Sequence, residues 1–164
     1  MPSLSQGSGG FGDRFVVQWT SLNHGNRWTA QNYRGRQHYF VTICSFRRRS
    51  VFAPPANCDF VLKLLRSESG TKVSRFAYCL MGDHLHFLAE GLQPASDLLV
   101  FLKSFKIKTS RWFAKRNNAI LWQRGYYEHI LRHRDQIEPV AWYIWLNQVR
   151  KGLTSTGVRV ERIF

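Results

Sequence analysis

Two short apolar segments separated by only three residues place the strongest constraint on the fold of this chain. Residues 73–80 and 84–90 have the length and the aliphatic and aromatic composition of β-strands. Met81, Gly82 and Asp83 lie between them and leave room only for a tight connection. Strands joined by so few residues pair antiparallel. The sequence therefore predicts a β-hairpin at the centre of the fold.

The segments on either side of the hairpin complete a recognisable order of elements. Strand-like runs of β-branched and aromatic residues flank the hairpin, and helical periodicity marks the remaining segments. The predicted strands outside the hairpin are 38–46 and 126–131, and the predicted helices are 59–66, 96–116 and 135–151. Strand, helix, hairpin, helix and strand form the split βαβ arrangement. We therefore expect an α+β, ferredoxin-like fold, with an antiparallel sheet, helices on one face and one further C-terminal helix.

Two histidines lie in the second strand of the predicted hairpin. His84 and His86 are two residues apart, so their side chains point to the same face of a strand while Leu85 points to the other. Their backbone positions are then about 7 Å apart. Imidazole is the commonest metal-ligating side chain, so the pair is half of a divalent-metal site. The alternative is an ordinary histidine pair without a metal, since such spacings also arise by chance.

The charge of the chain indicates a polyanionic partner. There are 24 Lys and Arg residues against 10 Asp and Glu, and the isoelectric point is about 10.5. No apolar run approaches the roughly 18 residues of a membrane span, and residues 1–10 lack the basic-then-apolar order of a signal peptide. These observations favour nucleic acid over a membrane as the partner. Three cysteines without a C-x-x-C pair, Cys44, Cys58 and Cys79, indicate reduced, buried thiols of a cytoplasmic protein.

Basic residues are concentrated in two segments. Residues 27–50 contain six arginines and no carboxylate. Residues 101–134 contain nine basic residues and one acidic residue, Glu128. Aromatic residues are interleaved with both clusters, and stacking rings beside cations suit single-stranded nucleic acid. A solvated basic face is the alternative. The candidate DNA-contacting residues are Arg34, Arg36, Arg47, Arg48, Lys103, Lys106, Lys108 and Arg111.

The last predicted helix places a phenol and a carboxamide on one side. Tyr143 and Asn147 are four residues apart and so share a helix face. An amide oxygen can complete a divalent-metal site beside two imidazoles, and a nearby phenol would reach a metal-bound phosphate. The alternative is that Tyr143 packs in the core. Tyr126 and Tyr127 also compete for a catalytic role, but adjacent residues on a strand face opposite ways, so at most one faces the histidines.

Five segments together resemble a known family. They are FVTICSFRRRSVF, CLMGDHLHFLAEG, FKIKTSRWFAKRN, LWQRGYYEHILR and YIWLNQVRKGL. In this order, from about Arg34 to Leu153, they are similar to the REP-associated tyrosine transposases, which are single-tyrosine HUH transposases that act on single-stranded DNA. The resemblance implies that His84 and His86 are paired metal ligands, that Asn147 is the third, and that Tyr143 is the nucleophile. The implied metal is Mg²⁺ or Mn²⁺.

The same resemblance implies a function and a domain organisation. The expected activity is metal-dependent nicking and rejoining of single-stranded DNA at palindromic hairpin repeats through a 5′-phosphotyrosine intermediate. The expected protein is a monomer or homodimer in the bacterial cytoplasm, associated with the nucleoid. Residues 1–30 are expected to form a flexible arm, 31–153 the transposase domain and 154–164 a short tail.

Two departures from the family keep other functions open. The chain has Asn147-Gln148-Val149 where members usually have Asn-Pro-Val, and residues 154–164 lack the Tyr-Pro-Trp-Ser segment that follows in many members. A catalytically inactive protein of the same fold that binds hairpin DNA therefore remains an alternative. A third hypothesis is that the chain is an RNA-binding module with stacking aromatic residues on the exposed sheet face.

Overall fold

The computed structural model describes residues 33–67, 73–132 and 137–150. The predicted arm (1–30) and tail (154–164) lie outside this range. The strands are β1 (His38–Cys44), β2 (Val73–Leu80), β3 (His84–Gly91) and β4 (Tyr127–Leu131), and the helices are α1 (Pro55–Ser67), α2 (Leu98–Asn117) and α3 (Ile137–Arg150). Of the helices that the structure describes, none combines the length and the apolar character needed to cross a membrane.

The strands form one antiparallel sheet in the order β2-β3-β1-β4. The hairpin of β2 and β3 is present, and β1 lies between β3 and β4. This is the strand order of a ferredoxin-like sheet, so the predicted fold class is confirmed. β3 lies inside the sheet and is hydrogen-bonded on both sides.

The predicted ends of two elements were wrong for local reasons. β1 stops at Cys44 rather than residue 46, because the chain turns into a short 3-10 helix at Phe46–Arg48. α1 begins at Pro55 rather than residue 59, and proline is well suited to the first turn of a helix, where its missing N–H costs nothing. The start of α2 is set by Asp97, whose side chain accepts hydrogen bonds from the backbone N–H groups of Leu99 and Val100.

The sheet is covered on both faces. α1 and α2 pack on one face over the larger core, which includes Val41, Leu85 and Phe87 of the strands. α3 packs on the other face, where Val140 and Ile144 contact a smaller apolar cluster. The prediction of helices on one face therefore applies to α1 and α2, and the C-terminal helix covers the opposite face.

The three cysteines lie inside these packed layers. Cys44, Cys58 and Cys79 are all buried and none forms a disulfide. This agrees with the expectation of reduced, buried thiols.

The end of β3 lies in close backbone contact with the segment that precedes β1. The N–H of Gly91 donates to the carbonyl of Gln37 (3.0 Å), and the N–H of Gly35 donates to the carbonyl of Ser96 (2.9 Å). A Cβ atom at Gly91 would lie 1.9 Å from the carbonyl oxygen of Gly35. Gly35 itself has φ +85°, a conformation that side chains disfavour. Glycine is therefore required at position 91 by the approach of two backbone segments.

Candidate active site

The two histidines lie side by side on the face of the sheet covered by α3. His84 and His86 are buried, with 7% and 9% exposure, and their ring centroids are 4.5 Å apart. Leu85, between them, is fully buried in the core on the other face. The strand alternation predicted from the sequence thus brings the two imidazoles together.

Each histidine ring is oriented through its Nδ1 atom. Nδ1 of His84 donates to Oδ1 of Asp83 (2.5 Å), and Nδ1 of His86 lies 2.8 Å from Oγ1 of Thr42. A proton on Nδ1 leaves the lone pair of the imidazole on Nε2, which is then the metal-binding nitrogen. The carboxylate of Asp83 can only accept, so this tautomer applies to His84; the hydroxyl of Thr42 can donate or accept, and its contact fixes the orientation of the His86 ring.

Thr42 is a functional candidate that the sequence did not reveal. It is the cross-strand partner of His86 in the register of β1 and β3. Its only sequence signal is a hydroxyl residue within the otherwise apolar run FVTIC, and its place opposite His86 follows from the register of the sheet.

α3 brings Tyr143 to the histidines. The ring centroids of Tyr143 and His86 are 6.2 Å apart, and Tyr143 also packs edge-on against Phe40 at 6.2 Å. The phenol is half-buried. The structure thus brings together the predicted nucleophile and the predicted metal ligands, although they are 57 residues apart in sequence, from His86 to Tyr143.

Asn147 follows Tyr143 by one turn of α3, and its Nδ2 atom is buried without a hydrogen-bond partner. A buried amide normally has partners, so an orphaned atom points to a group that binds there. Rotation of the carboxamide by half a turn puts Oδ1, an acceptor, in place of Nδ2. Within the described residues no three His, Cys, Asp or Glu side chains are grouped to hold a metal. The amide oxygen of Asn147 is the candidate third donor, and a donor set of two imidazoles and one amide oxygen fits a divalent ion.

The two competing tyrosines lie in different surroundings, since Tyr126 precedes β4 and Tyr127 is its first residue. Tyr126 packs against the core beneath α2, and burial raises the pKa of its phenol, which disfavours the phenolate. Tyr127 is 58% exposed and is the cross-strand partner of Thr42, so it lies on the histidine face. Tyr127 is therefore the one competing tyrosine of this pair that needs an experimental control.

The predicted DNA-contacting residues do not share one surface with the histidines. Arg47 and Arg48 directly follow β1 and lie at its histidine end. Arg34 and Arg36 precede β1, and Arg36 is six residues from Thr42, or about 20 Å along an extended strand. Three predicted contacts are exposed residues of α2, which belongs to the layer on the opposite face of the sheet: Lys103, Lys108 and Arg111. Arg34 is also paired with Asp97 (3.2 Å).

Lys106, one of the predicted DNA contacts, is bound to the loop before β4. Its ammonium donates to the carbonyl oxygens of Gln123, Arg124 and Gly125 at 2.9, 3.2 and 3.2 Å. An ammonium has three donors, and all three are used within the protein. Burial also lowers the pKa of Lys106 below its usual value. Lys106 therefore fastens the loop before β4 to α2.

Replacing Lys106 with methionine is expected to lower the free energy of unfolding by about 2 kcal/mol, because hydrogen bonds from a charged donor are lost and three carbonyls lose their partner. Urea denaturation measures the change. Lys103→Met, at an exposed position of the same helix, is the matched control and is expected to change stability by less than about 0.5 kcal/mol. Equal effects of the two substitutions would contradict the structural role of Lys106.

Comparison with known sequences identifies one family and one relative. Residues 34–147 match the family model for IS200-like transposases, a range that includes β1 to β4 and extends to Asn147. An uncharacterized protein of Haemophilus influenzae is 24% identical, in an alignment that covers 72% of this chain and 83% of that protein.

Two solved structures share the fold. A REP-associated tyrosine transposase bound to a REP hairpin superposes with a TM-score of 0.59 at 18% identity, covering 80% of this chain and 75% of its own. A putative transposase from Deinococcus radiodurans R1 superposes with a TM-score of 0.52 at 17% identity, covering 79% of this chain and 98% of its own. At these identities the likeness establishes a common architecture.

Proposed function

Because the chain belongs to the family of IS200-like transposases, we propose that it is a metal-dependent single-stranded DNA endonuclease and strand transferase. The observation that carries this proposal is the approach of the Tyr143 ring to His86, 6.2 Å between centroids, beside the paired imidazoles. A phenol next to two oriented metal ligands suits nucleophilic attack on a phosphodiester. We propose that the substrate contains a palindromic hairpin, as in the related structure that holds a REP hairpin.

His84, His86 and Asn147 would hold the metal ion, Mg²⁺ or Mn²⁺. When bound, such an ion orients a phosphate and neutralises charge on its non-bridging oxygens. The protein's part is to fix the ligands. Thr42 and Asp83 contact Nδ1 of the two rings, so Nε2 is the nitrogen of each ring that would bind the ion.

Tyr143 would supply the nucleophile. Its Oη attacks phosphorus in line, a phosphotyrosine bond forms to the 5′ phosphate, and the bond to the 3′ oxygen breaks. The departing 3′ oxygen takes up a proton and the phenol loses one, so charge balances over the step. Attack by a DNA 3′ hydroxyl on the phosphotyrosine reverses these bond changes. The enzyme can then rejoin strands without ATP, because the diester bond is conserved throughout.

The hydroxyl of Thr42 lies beside Nδ1 of His86, so its removal is expected to change the affinity for the metal. Thr42→Val removes the partner of Nδ1 and is expected to weaken Mn²⁺ binding about tenfold, the lower end of the effect of removing a group that orients a metal ligand. Titration calorimetry of the DNA-free protein measures it. Thr42→Ser keeps the hydroxyl and is the control. A valine variant that binds Mn²⁺ like the wild type would show that Thr42 does not orient His86.

The experiment that tests the proposed function is a search for a covalent protein–DNA adduct. Labelled single-stranded hairpin oligonucleotides from the genome around this gene are incubated with protein and Mn²⁺ or Mg²⁺, and the products are separated on a denaturing gel. An adduct that is lost with chelator is the expected result. Tight hairpin binding without an adduct under either metal would contradict the enzymatic proposal and favour a DNA-binding protein of the same fold.

A further inference from the structure

A carboxylate joins Arg48 to one of the candidate metal ligands. Nε of Arg48 lies 3.1 Å from Oδ2 of Asp83, and the other oxygen of the same carboxylate accepts the hydrogen bond from Nδ1 of His84 at 2.5 Å. The two oxygens of Asp83 therefore have different partners, one cationic and one a ring N–H. A carboxylate held at both oxygens cannot rotate without breaking a contact, so the position of Arg48 bears on the orientation of the His84 ring.

The same guanidinium also contacts the strand that pairs with His84. Nη1 of Arg48 lies 2.8 Å from Sγ of Cys44, and Cys44 is the cross-strand partner of His84. Arg48 thus contacts the residue that precedes His84 and the residue that lies beside it. Arginine suits this place, because its planar group presents several N–H donors in a fixed geometry.

The backbone that carries Arg48 is held in an unusual conformation against the same site. Arg47 and Arg48 both have φ of 55°, in the left-handed region that residues other than glycine rarely adopt. The turn is closed by a hydrogen bond from Oγ of Ser45 to the carbonyl of Arg49 (2.7 Å). It is joined to the β2–β3 connection by the N–H of Ser45, which donates to the carbonyl of Asp83 (2.9 Å). Strained residues that persist often serve a functional site.

We propose that Arg48 is a positioning residue for the metal site, acting through Asp83 on His84. Its ion pair fixes the carboxylate so that Asp83 accepts from Nδ1, and His84 then presents Nε2 to the metal. This inference rests on the proposed function for the use of the metal, and on the contacts of Arg48 with Asp83 and Cys44 for the arrangement itself. The sequence predicted that Arg48 contacts DNA, and the proposal assigns it a role at the metal site instead.

Arg47 provides a matched comparison. It has the same φ, is exposed, and its guanidinium lies over the ring of Phe46 at 5.2 Å. Alanine at either position removes an arginine side chain from a left-handed residue, so the change in net charge and in backbone preference is the same. Only Arg48→Ala also removes the contacts with Asp83 and Cys44.

The test compares Arg48→Ala, Arg48→Lys and Arg47→Ala by two readouts. Mn²⁺ affinity of the DNA-free protein is measured from the paramagnetic resonance signal of free Mn²⁺, and the tautomer of His84 is read in metal-free protein from ¹⁵N NMR shifts of the ring. Arg48→Ala is expected to weaken Mn²⁺ binding about tenfold and to reduce the population with the proton on Nδ1. Arg48→Lys, which keeps a cation near Asp83, is expected to recover part of the affinity, and Arg47→Ala to match the wild type.

Hairpin affinity in the presence of chelator separates positioning from DNA contact. If Arg48→Ala weakens hairpin binding but leaves Mn²⁺ affinity and the His84 tautomer unchanged, Arg48 is a DNA contact and the proposal is wrong. If the Arg48 variants show the expected changes but the wild type forms no adduct, the proposed function is overturned and the role of Arg48 stands. If the wild type binds no Mn²⁺, the tautomer of His84 in the variants still decides whether Arg48 positions His84 or only contacts DNA.

Discussion

Replacing Tyr143 with phenylalanine is expected to abolish the covalent protein–DNA adduct, with the rate of its formation falling by at least about 10³-fold, as for other enzymes that lose their nucleophile. Phenylalanine keeps the ring that packs edge-on against Phe40 and removes only the hydroxyl. Hairpin affinity is therefore expected to stay within about twofold of the wild type, a small free-energy change typical of a substitution that preserves packing. Adduct formation with labelled hairpin DNA and Mn²⁺ on a denaturing gel measures the first effect, and a filter-binding titration measures the second.

Tyr127→Phe is the control for this experiment. Tyr127 is exposed on the same sheet face as the histidines. Of Tyr126 and Tyr127, it is therefore the one that could replace Tyr143 as nucleophile. The adduct is expected to form normally in Tyr127→Phe. An adduct that persists in Tyr143→Phe and disappears in Tyr127→Phe would assign the chemistry to β4 and would overturn the role of α3.

Gly91→Ala is expected to lower the free energy of unfolding by about 3 kcal/mol, at the upper end of the usual cost of overpacking. The added Cβ would lie 1.9 Å from the carbonyl oxygen of Gly35 and 3.1 Å from Cβ of Ser96. The strand end is held by the hydrogen bond from Gly91 to Gln37 (3.0 Å), and the oxygen of Gly35 accepts from the N–H of Gln37 (3.1 Å), so moving either one strains a backbone hydrogen bond. Urea denaturation followed by circular dichroism measures the loss.

Gly125→Ala controls for the general effect of replacing a loop or strand-end glycine. A Cβ at Gly125 would meet no atom within 4 Å, so its stability is expected to change by less than about 0.5 kcal/mol. If Gly91→Ala were as mild as Gly125→Ala, the close approach of the two backbone segments would not be a feature of the folded protein in solution.

The order of elements was predictable because the signals for it are local. The hairpin follows from a three-residue connection between two apolar runs, and the shared face of His84 and His86 follows from strand alternation. The end of β1 was placed two residues too late, because the chain turns away at Ser45, whose N–H and hydroxyl bond to Asp83 and Arg49. The contact with Asp83 joins segments far apart in sequence, and hydrophobic periodicity does not reveal it.

The contacts that shape the candidate site were mostly beyond the reach of the sequence. Thr42 meets His86 through the register of two strands 44 residues apart, and Arg48 meets Asp83 through a left-handed turn. The distribution of charge along the sequence also did not indicate on which face of the sheet each basic residue lies. The basic residues of α2 lie on the far side of the sheet, and Lys106 is used within the protein. The family resemblance could name His84, His86, Tyr143 and Asn147 because it draws on motif order rather than on geometry.

The position of β3 inside the sheet gives the two halves of the candidate site unequal mechanical support. His84 and His86 belong to a strand hydrogen-bonded on both sides, so displacing either one disrupts the ladder. Tyr143 belongs to a helix that rests on the sheet through side chains such as Val140 and Ile144, and lifting that helix breaks no bond between strands. A pull from a DNA strand joined to Tyr143 would therefore load α3 first. Under the proposed mechanism, the tethered DNA end would shift with its helix while the paired histidines stay in place.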